Sequence, residues 1–252
     1  MGSTGRVSAG STGAVSGGEL PVRRKDKDEY KTFDSRHSDT HNYERDGGAT
    51  NRWFLEHSNA QELYDEINKD RDEWLAFDHT WVYGHFMDGQ QYEGFSKMDK
   101  EDQDATRIYD KYLDRSTINT PFVVHRRATA ELLLGKGNRT ATEEDIQRMI
   151  GQEIYSRGNM STGAAREGLT IGSNKQIEYE IRVPSGTGYG MWLGNDDVNS
   201  YYGDRQREFM LNRDLILMPV SYERVGGSGR AHGRAEYRVV LEVVRRIEHD
   251  YS

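Results

Sequence analysis

Gln206 and Glu208 stand two residues apart in Tyr201-Tyr202-Gly203-Asp204-Arg205-Gln206-Arg207-Glu208, a turn that runs straight into strand-forming residues. On a strand, residues two apart share one face. The spacing therefore puts a carboxylate beside a primary amide. An amide both donates and accepts, so it can read an asparagine, a glutamine or a nucleobase edge. Two further segments carry chemistry. Val124-His125-Arg126-Arg127 ends an expected strand with guanidinium groups, whose planar fork of donors matches phosphate. Asn159-Met160-Ser161-Thr162-Gly163 places two hydroxyls at the entry to a strand-rich half.

Taken singly, each segment has an ordinary explanation. Arg126 and Arg127 could be a solvated pair on a strand end. Ser161-Thr162 could be any strand start, and Gln206 with Glu208 could be the wet face of a half-buried strand. What lifts them is their order within one pattern of elements.

Those elements read as helices first and strands second. Ser58 and Gln61 form a capping-box pattern ahead of Leu63, Tyr64, Ile67 and Trp74 at helical spacing. Phe77–Phe95 is aromatic and broken by Gly84, Gly89 and Gly94. A second helix is expected over 100–115, with Ala105, Ile108, Tyr109, Tyr112 and Leu113 as its apolar stripe. This stripe reads as core. The period then changes to that of a strand at 120–125. A short helix follows over 129–134 and stops at Gly135. Thr140 and Glu143 are expected to cap a third helix holding Ile146, Met149 and Ile150. Strands are expected over 176–183, 208–220 and 236–247, the last with Tyr237, Val239, Leu241 and Val243 on one face. Helices followed by strands give an α+β fold rather than an alternating α/β one.

At this point the chain resembles the mono-ADP-ribosyltransferases of the Arg–Ser–Glu class, which include the actin-modifying binary toxins and the Rho-modifying exoenzymes. That family ends its first strand with an aromatic-Arg pair, opens the next with Ser-Thr-Ser, and carries Gln-x-Glu or Glu-x-Glu on a later one. IEYEIRVPSGTGYGMWLG followed by YYGDRQREFMLNRD matches its strand, Pro-x-Gly turn, strand, Tyr-rich turn and catalytic strand. The resemblance runs from about Ser58 to Ile247. It implies helices packed on two small, mostly antiparallel sheets that form an NAD cleft, and transfer of ADP-ribose from NAD to a macromolecule with release of nicotinamide. It implies Glu208, Gln206 and Ser161 as catalytic residues. It implies Arg126, Arg127, Ser161, Thr162 and Glu208 as NAD contacts, and Tyr201, Tyr202 and Gln206 as acceptor contacts. The physics agrees. Arg126 suits the diphosphate. Breaking the nicotinamide–ribose bond builds positive charge on the sugar, as in glycoside hydrolysis, and a preorganised Glu208 stabilises it. Ser161 would fix the Glu208 rotamer. In the family Gln-x-Glu goes with asparagine, glutamine or guanine acceptors and Glu-x-Glu with arginine, so Gln206 leans away from an arginine target. Three positions depart from the pattern. His125 replaces the aromatic before the Arg, Asn159 the aromatic two before Ser161, and Gly163 the last Ser.

Other patterns lead elsewhere and fail. Gly186-x-Gly188-x-Gly190 follows a strand, but Met191-Trp192-Leu193 is no helix start, so a dinucleotide-fold reading lacks its context. Gly135-Lys136-Gly137 lacks the rest of a phosphate loop. His37 and His41 have helical spacing but lie in a charged tail, and no metal is expected.

Composition sets the bounds. The 252 residues suit one buried domain with a tail, and their 30% charged and 34% hydrophobic shares describe a polar chain with material for a core. The absence of Cys excludes disulfides, cysteine nucleophiles and zinc-thiolate sites. A net charge of -8 argues against an overall basic nucleic-acid footprint. No stretch approaches a membrane span and the N-terminus has no signal-peptide core, so no membrane partner is expected and the site of action is expected to be cytoplasmic, in its own or a host cell. Residues 1–50, Gly/Ser-rich and then charged, are expected to be a flexible tail that tethers the chain, with 51–252 as the transferase domain. The acceptor stays open between protein, expected first, and nucleic acid. So does the setting, between a toxin or phage effector and a particle-associated or non-catalytic module with this fold.

Overall fold

A computed structural model of the chain describes residues 30–33, 43–78, 95–135, 137–164, 176–193, 208–226 and 235–251. Three helices open it: α1 (Tyr43–His57), α2 (Ala60–Ile67) and α3 (Arg71–Asp78). α2 buries Ala60, Leu63, Tyr64 and Ile67, the stripe its spacing predicts. Its start differs in detail from the expected cap. Asn59 takes the N-cap position, but its side chain bonds Arg115 and Thr117 rather than capping the helix. Ser58 instead donates to the Phe54 carbonyl at the junction of α1 and α2 and accepts from the Ala60 amide. Two pieces of the 1–50 stretch belong to described elements: the first turns of α1 are helical, and residues 30–33 pack on the domain. Val123 donates to the Lys31 carbonyl, and Phe33 stacks on Phe54.

α4 (Lys100–Leu113) is capped by Asp99, whose carboxylate accepts from the Asp102 amide. The first strands, β1 (Thr117–Ile118) and β2 (Phe122–Ala128), are followed by the short α5 (Glu131–Leu134). α5 ends at Gly135, whose φ of 83° suits glycine. α6 (Glu143–Met149) starts two residues later than expected. Its capping box is Thr142 with Asp145 rather than Thr140 with Glu143.

The remaining strands are β3 (Ile154–Ser156), β4 (Met160–Gly163), β5 (Ile177–Val183), β6 (Gly186–Thr187), β7 (Gly190–Trp192), β8 (Glu208–Leu211), β9 (Leu215–Arg224) and β10 (Tyr237–Arg246). β1 and β6 form a two-stranded ribbon, and the other strands join in the order β3-β9-β10-β5-β2-β4-β8-β7. Among the named strands of the described residues, β5 and β10 alone pair in parallel. β2 meets β4 at a single residue pair, His125 with Gly163. The eight strands are thus a five-stranded and a three-stranded sheet joined at one point, the α+β arrangement expected.

An aromatic wedge packs behind that joint. Phe54 of α1 stacks on Trp192 of β7 at 4.1 Å between centroids and meets Phe122 of β2 edge-on at 5.1 Å. Phe122 in turn meets Phe209 of β8 at 4.8 Å. One ring therefore contacts both sheets and sets their relative position. Truncation of such a buried ring costs about 3–5 kcal/mol.

The stretch 208–220, expected as one strand, is two. The turn Asn212-Arg213-Asp214 separates β8 from β9, and Asp214 takes a left-handed φ of 59°. Aspartate tolerates that region better than most residues. Gly190 is also required by its surroundings, since a Cβ there would strike the Met210 carbonyl on β8.

Candidate active site

β8 is short and buried at every residue. It lies antiparallel to β4, with Glu208 opposite Gly163, Phe209 opposite Thr162 and Met210 opposite Ser161. Opposed residues share a face, so Glu208 and Ser161 are diagonal neighbours on one face of the ladder. The Ser161 hydroxyl hydrogen-bonds the Glu208 carboxylate. Thr162 faces the other way, and its hydroxyl donates to the Phe209 carbonyl at 2.6 Å. Thr162 thereby pins β4 to β8.

Arg126 comes from the other sheet. It sits on β2 opposite Tyr179 of β5. Its Nη1 donates to the Ser161 backbone carbonyl at 2.7 Å, and its charge acts on Glu208. Tyr179 is fully buried, donates to the Thr129 carbonyl at 3.0 Å and lies within electrostatic reach of Arg126. The joint between the sheets thus brings together a cation, a hydroxyl and a carboxylate from three strands.

Glu208 is only 3% exposed. Burial pushes its carboxyl up to about 7, against the lowering pull of the Ser161 hydrogen bond and the Arg126 charge. A buried carboxylate shifted toward neutrality, within electrostatic reach of a guanidinium, is a candidate functional group.

Of the residues singled out in the sequence, the fold brings Arg126, Ser161 and Glu208 together. Arg127 is half-buried, opposite Glu178, and strand alternation turns it to the other face of β2 from Arg126. Tyr201, Tyr202 and Gln206 lie outside the described residues. His125 is buried at the joint. Among the described residues no group of three or more His, Cys, Asp or Glu could hold a metal ion. No described helix is long and apolar enough to cross a membrane.

A second polar cluster escaped the sequence reading. Arg213 grips Asp110 of α4 with Nε and Nη2, both at 2.9 Å, and pairs with Asp214 at 2.8 Å. His249 lies between Asp214 (Nδ1, 2.9 Å) and Asp114 (Nε2, 2.8 Å). Arg246 and Asn212 also donate to Asp114, Tyr251 to Asp110 and Tyr155 to Asp214. Two carboxylates can only accept, so both His249 nitrogens must donate and the ring is an imidazolium. Burial pulls its pKa down, but the hydrogen bonds it donates to Asp114 and Asp214 raise it to about 9. Residues over a hundred positions apart meet here, and no local pattern signals that.

Comparison with known proteins gives the following. A family model described as ADP-ribosyltransferase exoenzyme matches residues 89–224. Compared by sequence with curated proteins, the chain has no significant match. Among solved structures it is similar to Plx2a, an ADP-ribosyltransferase toxin from Paenibacillus larvae, at 17% identity and a TM-score of 0.62, covering 79% of this chain and 97% of that one. It is similar to C3stau2 from S. aureus, solved with NAD, at 15% identity and a TM-score of 0.59 over 86% and 100% of the two chains. It is similar also to the Clostridium limosum C3 exoenzyme, at 11% identity and a TM-score of 0.60 over 86% and 98%. At such identities the likeness is one of fold.

Proposed function

Because the chain belongs to the ADP-ribosyltransferase exoenzyme family and is a toxin-like NAD+ ADP-ribosyltransferase, we propose that Glu208 is the carboxylate that stabilises charge on the ribose while one ADP-ribose passes to a macromolecular acceptor. The bond between ribose C1′ and the nicotinamide nitrogen breaks, and its electron pair leaves with nicotinamide. The acceptor's nucleophilic atom bonds to C1′ and loses a proton to solvent. With water as acceptor the same step is NAD hydrolysis.

The observation that carries this reading is the grouping of buried Glu208 and Ser161 with half-buried Arg126. NAD presents two anionic phosphates and a sugar that becomes cationic. The site offers a fixed guanidinium and a fixed carboxylate, so the residues fit the molecule. Arg126 holds the diphosphate. Ser161 keeps the Glu208 rotamer, and Glu208 faces C1′ and the ribose 2′-hydroxyl. Thr162 supports the same cleft by fixing β4, and Arg127, on the other face of β2, contributes its charge from behind the strand rather than by contact. Gln206, with Tyr201 and Tyr202, chooses the acceptor, and its amide favours an amide or nucleobase over arginine. A protein acceptor is proposed first, with action in the cytoplasm of the chain's own cell or a host, as a toxin or phage effector. The catalytic domain takes in 51–252 together with α1 and the 30–33 segment on β2, and the rest of 1–50 serves as a tether.

Labelled NAD incubated with host lysate tests the reading. Label should enter a macromolecule and survive nuclease but not protease. Nuclease-sensitive label assigns a nucleic-acid acceptor, and absence of both transfer and nicotinamide release contradicts the proposal.

A further inference from the structure

Arg126 stands on the five-stranded sheet, while Ser161 and Glu208 stand on the three-stranded one. The ladder between the two sheets is a single pair, His125 with Gly163. One pair is a pivot rather than a brace. The spacing of guanidinium and carboxylate therefore depends on what else fixes one sheet against the other.

Residues 30–33 lie at that pivot. The Lys31 amide donates to the Pro121 carbonyl and the Val123 amide donates to the Lys31 carbonyl, both at 2.9 Å, so Lys31 pairs in parallel with Phe122. β5 occupies the other edge of β2 along its whole length. Backbone groups alternate between the two edges of a strand, so Pro121, Val123 and His125 present theirs to one edge. The short segment takes the first two of these positions and β4 takes the third.

Both ends of the segment are anchored. Tyr30 is buried, with the Arg182 guanidinium of β5 5.9 Å from its ring centroid. Phe33 stacks on Phe54 at 5.2 Å and meets Trp53 edge-on at 5.0 Å. Phe54 is the ring that touches both sheets. Besides Trp192 and Phe122 it stacks on Phe209 at 5.8 Å, and Phe209 follows Glu208 on β8. A line of rings thus runs from the segment to the neighbour of Glu208.

We propose that residues 30–33 are a strap that sets the angle between the sheets, with Phe33 as a positioning residue for Arg126 and Glu208, acting through Phe54. This rests on the assignment of Arg126 to the diphosphate and Glu208 to the ribose. NAD spans both sheets, so its turnover needs both groups in place at once, and misplacement by about 1 Å costs on the order of a hundredfold in rate. ADP carries the diphosphate without the nicotinamide ribose. Of the three site residues it needs Arg126 alone, so its binding does not depend on the angle.

Phe33→Ala removes the stacked ring. Lys31→Pro removes the amide that bonds Pro121 and leaves Phe33 in the chain. NAD hydrolysis and calorimetric ADP binding are measured on the full chain, at a temperature where melting curves show each variant folded. In both variants kcat should fall at least about tenfold while ADP affinity stays within about twofold. Unchanged turnover in both folded variants overturns the proposal. So does a parallel loss of turnover and ADP affinity, which is what a general loosening of the fold produces. Failure of the underlying site reading shows elsewhere, as wild-type protein that does not bind ADP or as turnover that survives in Glu208→Gln.

Discussion

The Ser161 hydroxyl bonds the Glu208 carboxylate diagonally across the β4–β8 ladder. That contact both aims the carboxylate and lowers its pKa. Ser161→Ala should therefore do two things. NAD hydrolysis should fall about a hundredfold in kcat, the cost of a loosened catalytic group, with little change in KM. The acidic limb of the pH–rate profile should also move to higher pH, because an influence that lowers the Glu208 pKa is gone. A variant slow only through misfolding would not shift that limb.

In the wild type, burial holds Glu208 at about 7. The carboxylate is the active form, so kcat/KM for NAD should rise through about pH 7 and level off above it. Stability should run the other way. The folded-state pKa lies above the unfolded value, so the folded chain keeps a proton that the unfolded chain loses. Between about pH 4.5 and 7 stability falls as pH rises, by on the order of 3 kcal/mol. Glu208→Gln removes that charge and should melt higher than wild type at pH 8, with the gap closing near pH 4. A gap independent of pH would contradict the burial account.

Arg126 reaches Ser161 through Nη1 and Glu208 through its charge. Arg126→Ala should raise the KM for NAD at least about tenfold. Arg126→Lys should recover only part of it, because an ammonium lacks the planar fork. Both variants should bind free nicotinamide like wild type, and calorimetry checks this.

His249 sits between Asp114 and Asp214 as an imidazolium. Its pKa is raised to about 9. The stability it contributes is fully present below about pH 6.5 and is lost as pH rises through 9. His249→Gln should cost on the order of 2–3 kcal/mol in chemical denaturation at pH 6 and much less at pH 10. An equal cost at both pH values would mean that the ring acts by packing alone.

The sequence carried more of the site than of the scaffold behind it. Arg126 and Ser161 lie within two residues of a strand end and Glu208 opens a strand, and their types, order and spacing were enough to single them out as candidates. The face shared by Leu63, Tyr64 and Ile67 was legible because helical burial leaves a 3.6-residue period. α1 was not, because its first half, Tyr43-Glu44-Arg45-Asp46-Gly47-Gly48, holds glycines and charges rather than an apolar stripe. The break at Asn212–Asp214 was hidden because a left-handed aspartate has no local signal beyond being an aspartate. The Arg213–His249 cluster joins α4, a turn and the C-terminal arm, so it exists only once the chain has folded. Gln206, outside the described residues, was singled out by spacing, and the role proposed for it rests on the chemistry of an amide.

The most direct test is steady-state NAD hydrolysis by Glu208→Gln, followed as nicotinamide release, with NAD affinity measured alongside. The mutation keeps the size of the side chain and removes its charge. Turnover should drop by at least about a thousandfold while NAD affinity stays within a few-fold, because the carboxylate acts on charge that develops only during bond breaking. Turnover close to wild type in the folded variant would contradict the account.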